Sequence, residues 1–362
     1  MGKLSGSREL LIALDSMKYP NTGLFHFGKS LGEAIAKQIY IDFNVTFYIS
    51  KKYFGLFGIG NVRYKGLKEI YKLFFPYHYN LCHFTDQYCR LPLTRVRGKK
   101  ILTIHDLNQI HEPWHKPRKV ERHLKRLRIY IEHCEAIVAI SRFVESDIVR
   151  VFPEAADKVK VIYNGVDKLT VNKGHKPPLM DDSEFLFTIG LVSEKKNFHV
   201  ISSLLVSNQL KLIIGGEMRN KAYKEKIYQV AKEYGVEERV IFTGSISEAD
   251  KAWYYQNCKA FVFPSLAEGF GLPVLEAMHF GKPIFLSKLT ALPEIGGEDA
   301  FYFEDFSPEH MRSVFKRGLE SFSEQVGERL KQRAEAFNWN ETAKQYIALY
   351  QSVFTGSKKL GK

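Results

Sequence analysis

The chain has little cysteine and lacks any long apolar run, and each shortage excludes a class of protein. Its 362 residues include only 4 cysteines, at positions 82, 89, 134 and 258. Because their spacing matches no disulfide framework or metal motif, we expect free thiols and no metal site. No apolar run approaches the ~20 residues of a membrane-spanning helix, and the run at residues 10–14 is too short for a signal peptide. We therefore expect a cytoplasmic protein.

Acidic residues are in short supply in the first half of the chain. Residues 1–170 carry 28 Lys and Arg against 16 Asp and Glu, whereas the remainder carries 25 against 24. Nearly all of the formal net charge of +13 therefore relates to whatever the first half binds. The length, with 45% hydrophobic residues, suits two α/β domains better than a single core.

The most informative stretch is residues 261–283, FVFPSLAEGFGLPVLEAMHFGKP. FVFPS has the aromatic and β-branched composition of a buried parallel strand. A glycine-containing loop follows, and Pro273 then suits the start of a helix, where its missing N–H costs nothing. Unpaired amides at such a start favour an anion, whereas the carboxylates of Glu268 and Glu276 suit hydroxyl donors. The stretch therefore predicts a site for a ligand with both phosphate and hydroxyl groups.

Glu268 and Glu276 are separated by seven residues, and this spacing within EGFGLPVLEAM resembles the family-4 (group 1) retaining glycosyltransferases of GT-B fold. The resemblance covers nearly the whole chain. It implies an α/β fold of two Rossmann-like domains that face each other across a cleft. In the family the first Glu reaches the donor sugar and the second holds the ribose hydroxyls, which places these roles on Glu268 and Glu276. The intervening backbone would bind sugar hydroxyls and phosphate, at Gly269, Phe270, Gly271, Leu272 and Leu275.

Two further site residues in the first half follow from the same resemblance. A loop glycine near the donor diphosphate corresponds to Gly23, in the loop 21–24 before a helix that we expect over about 29–38. A histidine near the donor sugar and the acceptor corresponds to His105. It follows the strand KILTI, at the strand end where ligands bind in open parallel sheets.

The family's G-R-L-x-x-x-K-N pattern corresponds to residues 190–197, GLVSEKKN, in this chain. Lys196 matches the Lys that grips the donor diphosphate, but Leu191 stands where Arg is usual. That departure removes a fork-shaped phosphate contact, and the sequence leaves open whether Lys195 compensates. We predict that Lys196 stabilises the leaving diphosphate electrostatically. We expect Glu268 to position the sugar rather than attack it, because the sequence does not guarantee the ~5–5.5 Å carboxyl spacing of retaining glycosidases.

The resemblance also predicts a domain organisation. Residues 1–174 would form an N-terminal, acceptor-binding Rossmann-like domain, and residues 175–340 a C-terminal domain that binds the nucleotide-sugar. Residues 341–362 would supply a last helix that crosses back to the first domain, followed by a tail. The polar, proline-bearing segment 175–184 is the expected linker.

Two basic segments account for much of the positive charge. Residues 47–80 interleave Lys and Arg with Phe and Tyr, a mixture that suits an anionic lipid surface, nucleic-acid bases or an ordinary solvated face. Residues 114–133 predict a basic helix whose cationic side faces a phospholipid surface or an anionic acceptor. Its apolar stripe would consist of Val120, Leu124, Leu127 and Ile131. Peripheral contact with the inner face of the cytoplasmic membrane is therefore an alternative to a fully cytoplasmic location.

The activity implied is retaining transfer of a sugar from a nucleotide-sugar to a cell-surface glycan or lipid-linked saccharide. We expect no metal and no other cofactor, because no DxD stands out and Asp181-Asp182 falls in the expected linker. One rival is a GT-B-type nucleotide-sugar epimerase, which needs no acceptor surface. The other is a basic nucleic-acid-binding protein, which would explain the charge but not the two glutamates. Since no RNP, KH or zinc pattern occurs, we expect no nucleic-acid partner.

Overall fold

The computed structural model describes residues 8–20, 22–38, 43–58, 62–67 and 79–356. The chain divides into two compact units. The first combines Met1–Gly165 with Asn338–Lys362, and the second is Val166–Phe337. Each unit contains one parallel sheet with helices in its connections, which confirms the prediction of two α/β, Rossmann-like units.

The sheet of the first unit has the strand order β3-β2-β1-β4-β5-β6-β7, with parallel neighbours throughout. Its strands are β1 (Glu9–Ala13), β2 (Asn44–Ile49), β3 (Val62–Gly66), β4 (Leu81–Phe84), β5 (Lys99–Ile104), β6 (Ala136–Ala139) and β7 (Val159–Val161). Its first helices are α1 (Gly23–Gln38), α2 (Pro117–Glu132) and α3 (Arg142–Val151). Short 3-10 helices span Asp15–Lys18, Lys51–Tyr53, Leu93–Arg95, Asn108–Ile110 and Pro153–Lys158. The order reverses between β1 and β4, and in such sheets ligands bind beyond the carboxyl ends of the strands at the reversal.

The sheet of the second unit has the order β10-β9-β8-β11-β12-β13, again parallel, and reverses between β8 and β11. Its strands are β8 (Phe185–Ile189), β9 (Lys211–Gly215), β10 (Val240–Gly244), β11 (Ala260–Phe263), β12 (Ile284–Ser287) and β13 (Phe301–Phe303). Its helices are α4 (Lys221–Glu233), α5 (Glu248–Asn257), α6 (Leu272–Met278), α7 (Leu292–Gly296), α8 (Pro308–Ser321) and α9 (Glu324–Glu335). Short 3-10 helices span Glu194–Lys196, Phe198–Leu205 and Glu237–Arg239.

The last helix, α10 (Trp339–Thr355), belongs to the first unit and is tied to its sheet by a buried polar network. The imidazole of His83 on β4 bonds to Tyr350 Oη at 2.7 Å and to Thr103 Oγ1 at 2.8 Å. Thr103 Oγ1 in turn contacts Tyr346 Oη at 3.0 Å. Burial, with a smaller contribution from His105, lowers the pKa of His83 to about 3, so the ring is neutral at pH 7. A satisfied network of this kind fixes the seat of α10 on the sheet.

The boundaries between the units differ from the sequence-based ones at 174 and 340. The first crossing follows Gly165, where a Cβ would lie 2.3 Å from the backbone nitrogen of Trp339 at the start of α10. The predicted linker 175–184 belongs to the second unit, where His175 Nε2 bonds to Asp250 Oδ1 at 2.7 Å. The chain thus leaves the first unit where the backbone of Gly165 lies close to that of Trp339. The composition of the predicted linker does not reveal this position.

Helix α1 begins at Gly23, six residues before its predicted start. The Thr22 side chain accepts a hydrogen bond from the backbone N–H of Phe25 at 3.2 Å, and its carbonyl accepts from the same group at 3.0 Å. Thr22 therefore acts as the N-cap, and the expected loop 21–24 is largely helix start, with residue 21 outside the described residues. The predicted start at Lys29 was wrong because this cap was not recognised.

Most aromatic residues of the basic segment 47–80 that the structure describes pack inward, but Phe54 is 41% exposed. The Phe57 ring lies 4.5 Å from that of Phe47 and 6.4 Å from that of Tyr64, between centroids. These rings belong to the core of the first unit or pack against it. Residues 59–61 and 68–78 of the segment lie outside the described residues. Phe47, Phe57 and Tyr64 therefore serve the core rather than a lipid surface or nucleic-acid bases, and Phe54 is the exposed aromatic among the described residues of the segment.

Helix α2 confirms the predicted basic helix but not all of its apolar stripe. Leu127 and Ile131 are buried, whereas Val120 and Leu124 are only half-buried. His123 is buried in their place. Within the part of the chain that the structure describes, no helix has both the length and the apolar character needed to span a membrane.

Candidate active site

In the second unit, the predicted residues gather beyond the reversal of the sheet. Lys196 ends a short 3-10 helix that follows β8, and Glu268 lies in the loop that follows β11. Because β8 and β11 are neighbours, their carboxyl ends open onto the same place. The fold therefore brings Lys196 and Glu268 together although 72 positions separate them.

Lys196 and Glu268 form a nearly buried ion pair. Lys196 Nζ donates to Glu268 Oε1 at 2.5 Å, and the two side chains are only 11% and 12% exposed. Ser265 Oγ donates to the same carboxylate oxygen at 2.6 Å. The Lys196 ammonium also lies 4.6 Å from the centroid of the Phe263 ring. The pair is therefore held in one geometry by contacts on several sides, and its charges are little screened by water.

The electrostatics of this pair are shaped by its burial and by Lys195. Burial opposes ionisation of Glu268, but the charges of Lys196 and Lys195 outweigh it and lower the pKa of the carboxyl. Burial, together with repulsion from Lys195, lowers the pKa of Lys196 despite the attraction of Glu268. Two ammonium groups thus lie beside one carboxylate, and a further anion would relieve the repulsion between them.

Backbone contacts fix the loops that carry the pair. The carbonyl of Lys195 accepts from the backbone N–H of Leu266 at 2.8 Å. The backbone N–H of Glu268 donates to Thr290 Oγ1 at 3.0 Å. The loop after β8 is therefore fastened to the loop after β11, and both are held in place before any ligand arrives.

The segment between the two glutamates offers mainly its backbone. Gly271 has a φ of 112°, a conformation that residues with a Cβ rarely adopt, and it leads directly into α6. The side chains of Phe270 and Leu275 are buried in the core, and Leu272 and Gly269 are also largely enclosed. The prediction that this segment contacts a ligand through its main chain is compatible with this arrangement but is not tested by it.

Glu276 on α6 is held by two side chains of α5. Lys251 Nζ donates to one carboxylate oxygen at 2.8 Å, and Tyr255 Oη donates to the other at 2.9 Å. Lys251 is 8% exposed; burial opposes its charge, but the attractions of Glu276 and Glu248 outweigh burial and raise its pKa. Each oxygen retains capacity to accept one more hydrogen bond. The carboxylate is therefore fixed in place as a charged acceptor.

His105 and Gly23 lie in the first unit. The ring of His105 is buried, with Nε2 at 2.8 Å from the carbonyl of Thr85, to which it must donate. Burial lowers its pKa, which favours the neutral ring, and the remaining nitrogen, Nδ1, is then an acceptor. Gly23 is the first residue of α1, and the space where a Cβ would lie is open.

No group of three or more His, Cys, Asp or Glu side chains in the described ranges is arranged to hold a metal ion. The cationic groups that lie beside Glu268 are instead the side chains of Lys195 and Lys196.

Comparison with known proteins decides the family. The model of the family described as "Glycosyl transferases group 1" matches residues 172–345, and that of "Glycosyltransferase Family 4" matches residues 34–168. Together these two matches span most of the chain. The chain belongs to the group 1, family 4 glycosyltransferases.

The curated relatives of this glycosyltransferase include bacterial mannosyltransferases. The serotype-specific mannosyltransferase WbdA of Escherichia coli is 29% identical over 291 residues, which are 75% of this chain but 35% of WbdA. The chain thus spans about a third of the length of that relative. O-antigen chain mannosyltransferase B of Escherichia coli is 26% identical over 278 residues, 70% of each chain.

Solved structures of the same fold cover nearly the whole of this chain. Sucrose-phosphate synthase from Thermosynechococcus elongatus has a TM-score of 0.74 at 19% identity and covers 97% of this chain and 100% of its own. Anabaena HepE, in complex with UDP and glucose, has a TM-score of 0.74 at 17% identity and covers 95% of this chain and 100% of its own. At these identities the likeness establishes the fold, which is GT-B.

Several side chains of the glycosyltransferase site were missed in the sequence. Lys251 and Tyr255 are four residues apart and so share one face of α5, but their sequence context does not reveal that this face meets Glu276. Ser265 and Thr290 were missed for the same reason, since single hydroxyl residues carry no recognisable pattern. The predicted Lys196 and Glu268 do lie together, whereas His105 and Gly23 lie in the other unit.

Proposed function

We propose that this protein is a retaining glycosyltransferase that moves a hexosyl group from a nucleotide-sugar to a saccharide or lipid-linked saccharide. The observation that carries the proposal is the nearly buried Lys196–Glu268 pair at the reversal of the second sheet, beside Lys195. The relatives described above are mannosyltransferases, one of them of the O-antigen chain, and HepE was solved with UDP and glucose. A mannosyl donor and a surface-polysaccharide acceptor are therefore the first choices.

The lysines would stabilise the charge that develops on the leaving diphosphate. A diphosphate beside Lys196 and Lys195 would attract two ammonium groups that now share a single carboxylate. Because both loops are fastened before the ligand arrives, this stabilisation would need little reorganisation at the moment of reaction. Transfer would then proceed without a metal ion.

Glu268 would position the donor sugar. Its Oε1 is engaged by Lys196 and Ser265, which leaves the other carboxylate oxygen as the better acceptor for sugar hydroxyls. The ion pair at 2.5 Å also makes the carboxylate of Glu268 a poor nucleophile. If one of its oxygens formed a covalent bond to the sugar, Lys196 would lose its counter-ion. Retention would then come from attack of the acceptor on the face from which the diphosphate leaves.

Glu276 would hold the ribose of the nucleotide. Its two carboxylate oxygens are held in place by Lys251 and Tyr255. Two hydroxyls of a ribose can donate to the remaining acceptor positions of one carboxylate. In the first unit, neutral His105 would meet the acceptor through Nδ1, and we place the reaction on the cytoplasmic side of the membrane.

A panel of nucleotide-sugars tests the donor part of the proposal. We would measure thermal shifts with UDP-, GDP- and ADP-sugars for the wild type, for Glu276→Ala and for Glu233→Ala. Glu233 is an exposed glutamate at the end of α4 and serves as a control. A ligand at 100 times its Kd should stabilise the wild type by about 2.7 kcal/mol. Loss of most of that shift in Glu276→Ala alone supports the site, and no shift with any nucleotide contradicts it.

The transfer reaction needs its own measurement. With the nucleotide-sugar identified, the anomeric configuration of the first product by NMR tests retention, and an inverted product contradicts it. Activity in the presence of EDTA tests metal independence, since a full loss that added Mg²⁺ or Mn²⁺ restores would refute it. Conversion of the sugar within the donor, without an acceptor, would favour an epimerase instead.

A further inference from the structure

The first unit contains an open pocket of about 290 Å³ that the proposed donor site does not use. It is lined by Tyr88, Gln109, Lys119, Arg122, His123 and Arg126. Tyr88 comes from the loop after β4 and Gln109 from the loop after β5, while α2 supplies the other four. Among the described residues, no Asp or Glu lines the pocket, and the three Lys and Arg residues give it a positive charge.

The cations of the pocket lie on one face of α2. Lys119, Arg122 and Arg126 are three and four positions apart, the spacing that places side chains above one another on a helix. In the described part of the chain, none of the three forms an ion pair, whereas Lys125 on the same helix pairs with Glu121 at 2.9 Å. The pocket face of α2 therefore keeps its charge available for an anion.

Two buried polar atoms in the pocket have no hydrogen-bond partner among the described residues. One is Gln109 Oε1. The amide nitrogen of the same side chain donates to Tyr88 Oη at 3.0 Å. The other is His123 Nε2. His123 Nδ1 lies 3.3 Å from Nη2 of Arg126, which can only donate, so Nδ1 accepts and Nε2 carries the proton in the neutral ring. The pocket thus presents one acceptor and one donor without a hydrogen bond. A buried polar group without a hydrogen bond lowers the stability of the folded protein.

An aromatic surface completes the pocket. The Tyr88 ring stacks on the His123 ring with a centroid distance of 5.2 Å and an interplanar angle of 21°, yet it remains 43% exposed. The apolar face of a sugar ring suits such a surface, while its hydroxyls need donors and acceptors at the edge. The volume is sufficient for one monosaccharide with a phosphate.

We propose that this pocket binds a phosphorylated saccharide, with the phosphate against Lys119, Arg122, Arg126 and the Nε2–H of His123, and a sugar hydroxyl donating to Gln109 Oε1. Both unused atoms and the unpaired cations are then satisfied by one ligand. Since this names the acceptor class of the enzyme, it rests on the proposed function.

The pocket is joined to His105 through Gln87, which supports an acceptor role. Gln87 Oε1 accepts from the backbone N–H of His105 at 3.1 Å, and its amide nitrogen donates to the carbonyl of Asp106 at 2.9 Å. Tyr88 is the next residue along the chain, and Gln109 follows in the loop after His105. The same two loops therefore hold the proposed acceptor-facing histidine and one wall of the pocket.

Calorimetric titration of the full-length protein tests the pocket directly. The probes are mannose 6-phosphate, mannose and inorganic phosphate, and the variants are Arg122→Gln, Gln109→Met and the control Lys125→Gln. We expect mannose 6-phosphate to bind at least about tenfold more tightly than either fragment. Arg122→Gln should weaken it about tenfold or more, since a charge-assisted hydrogen bond is lost. Gln109→Met should weaken both sugar probes but not inorganic phosphate, and Lys125→Gln should change affinity less than about twofold.

Two further measurements distinguish a lipid-linked phosphate from a soluble one and from a membrane surface. Tighter binding of a short-chain alkyl mannosyl phosphate than of mannose 6-phosphate identifies a lipid-linked acceptor, and equal binding identifies a soluble one. If inorganic phosphate binds as tightly as the sugar phosphate, the saccharide assignment is overturned. It is also overturned if phosphatidylglycerol vesicles bind through Arg122 and mannose 6-phosphate does not displace them, because the face would then be a membrane contact.

Failure of this inference can be distinguished from failure of the proposed function. Nucleotide-induced thermal shifts report on the second unit and should persist in Arg122→Gln. Intact nucleotide binding without any sugar-phosphate binding overturns the pocket assignment alone. Sugar-phosphate binding without any nucleotide binding leaves the pocket assignment supported and contradicts the proposed transferase.

Discussion

Replacing Lys251 by Met should destabilise the second unit by about 2 kcal/mol, because it leaves the Glu276 carboxylate without its counter-ion. The ammonium lies 2.8 Å from Glu276 Oε1, and the two side chains are only 10% and 17% exposed. Removing one partner of a fully buried pair costs about 3–5 kcal/mol. The residual exposure of Glu276 and its hydrogen bond from Tyr255 reduce that cost. About 2 kcal/mol corresponds to a change of roughly 30-fold in the unfolding equilibrium.

The chain offers a matched control for this change. Lys259 Nζ also lies 2.8 Å from a carboxylate, that of Glu184, in the same unit. Those side chains are 44% and 65% exposed, so Lys259→Met should cost between 0 and about 1 kcal/mol. Both variants lose one positive charge and gain the same side chain. The two pairs differ in how deeply they are buried, and Lys251 also lies 3.2 Å from Glu248, which is 64% exposed and adds little to the cost.

Hydrogen exchange under increasing urea, followed by mass spectrometry, would measure these costs within the second unit itself. Peptides that contain α5 and α6 give its opening free energy for the wild type and for each variant. The double variant Lys251→Met with Glu276→Gln should recover part of the loss, since the carboxylate left unpaired is removed. The reasoning is refuted if Lys251→Met costs no more than Lys259→Met, or if the double variant recovers nothing.

Three further predictions concern particular groups. Burial and a neighbouring carboxylate raise the pKa of Asp86 from 3.8 to about 6, which costs about 3 kcal/mol of stability once both folded and unfolded groups are ionised. Asp86→Asn should therefore be more stable than the wild type above pH 6 and lose this advantage below about pH 4; urea unfolding across that range checks it, and a constant difference contradicts it. Gly271→Ala should lose about 1–3 kcal/mol because of its φ of 112°, whereas Gly23→Ala, in open space at a helix start, should lose none by thermal unfolding; equal losses would be inconsistent with the strain. Tyr350→Phe removes the 2.7 Å bond to His83 and should lower the stability of the first unit by about 1–3 kcal/mol, measured by hydrogen exchange of α10 peptides; wild-type protection would argue against a structural role for the network.

The proposed donor site of the second unit could largely be predicted from the sequence. The pocket of the basic first unit could not. Glu268, Lys196 and the glycine segment lie in motifs that resemble those of the family, and the strand, loop and helix start around Glu268 could be predicted from local composition. The basic residues of α2 were recognised as a helix with a cationic side, but in the apolar stripe His123 is buried while Val120 and Leu124 are only half-buried. Whether a given Lys or Arg of α2 has a counter-ion depends on the side chains that the loops after β4 and β5 place beside it. The sequence does not show these neighbours.

By itself, the sequence predicted the two α/β units, because buried parallel strands are continuous apolar runs. Its resemblance to the family indicated Lys196 and Glu268 as donor-site residues, and the tertiary structure paired them. The sequence also determined that the positive charge belongs to the first half. The tertiary structure decided the partners. Lys251 and Tyr255 reach Glu276 only because α5 packs beside α6, and Gln109, Tyr88 and His123 share a pocket only because β4 and β5 are neighbours. Such contacts join residues far apart in the chain, and no local pattern of charge or hydrophobicity encodes which distant side chain will fill the space.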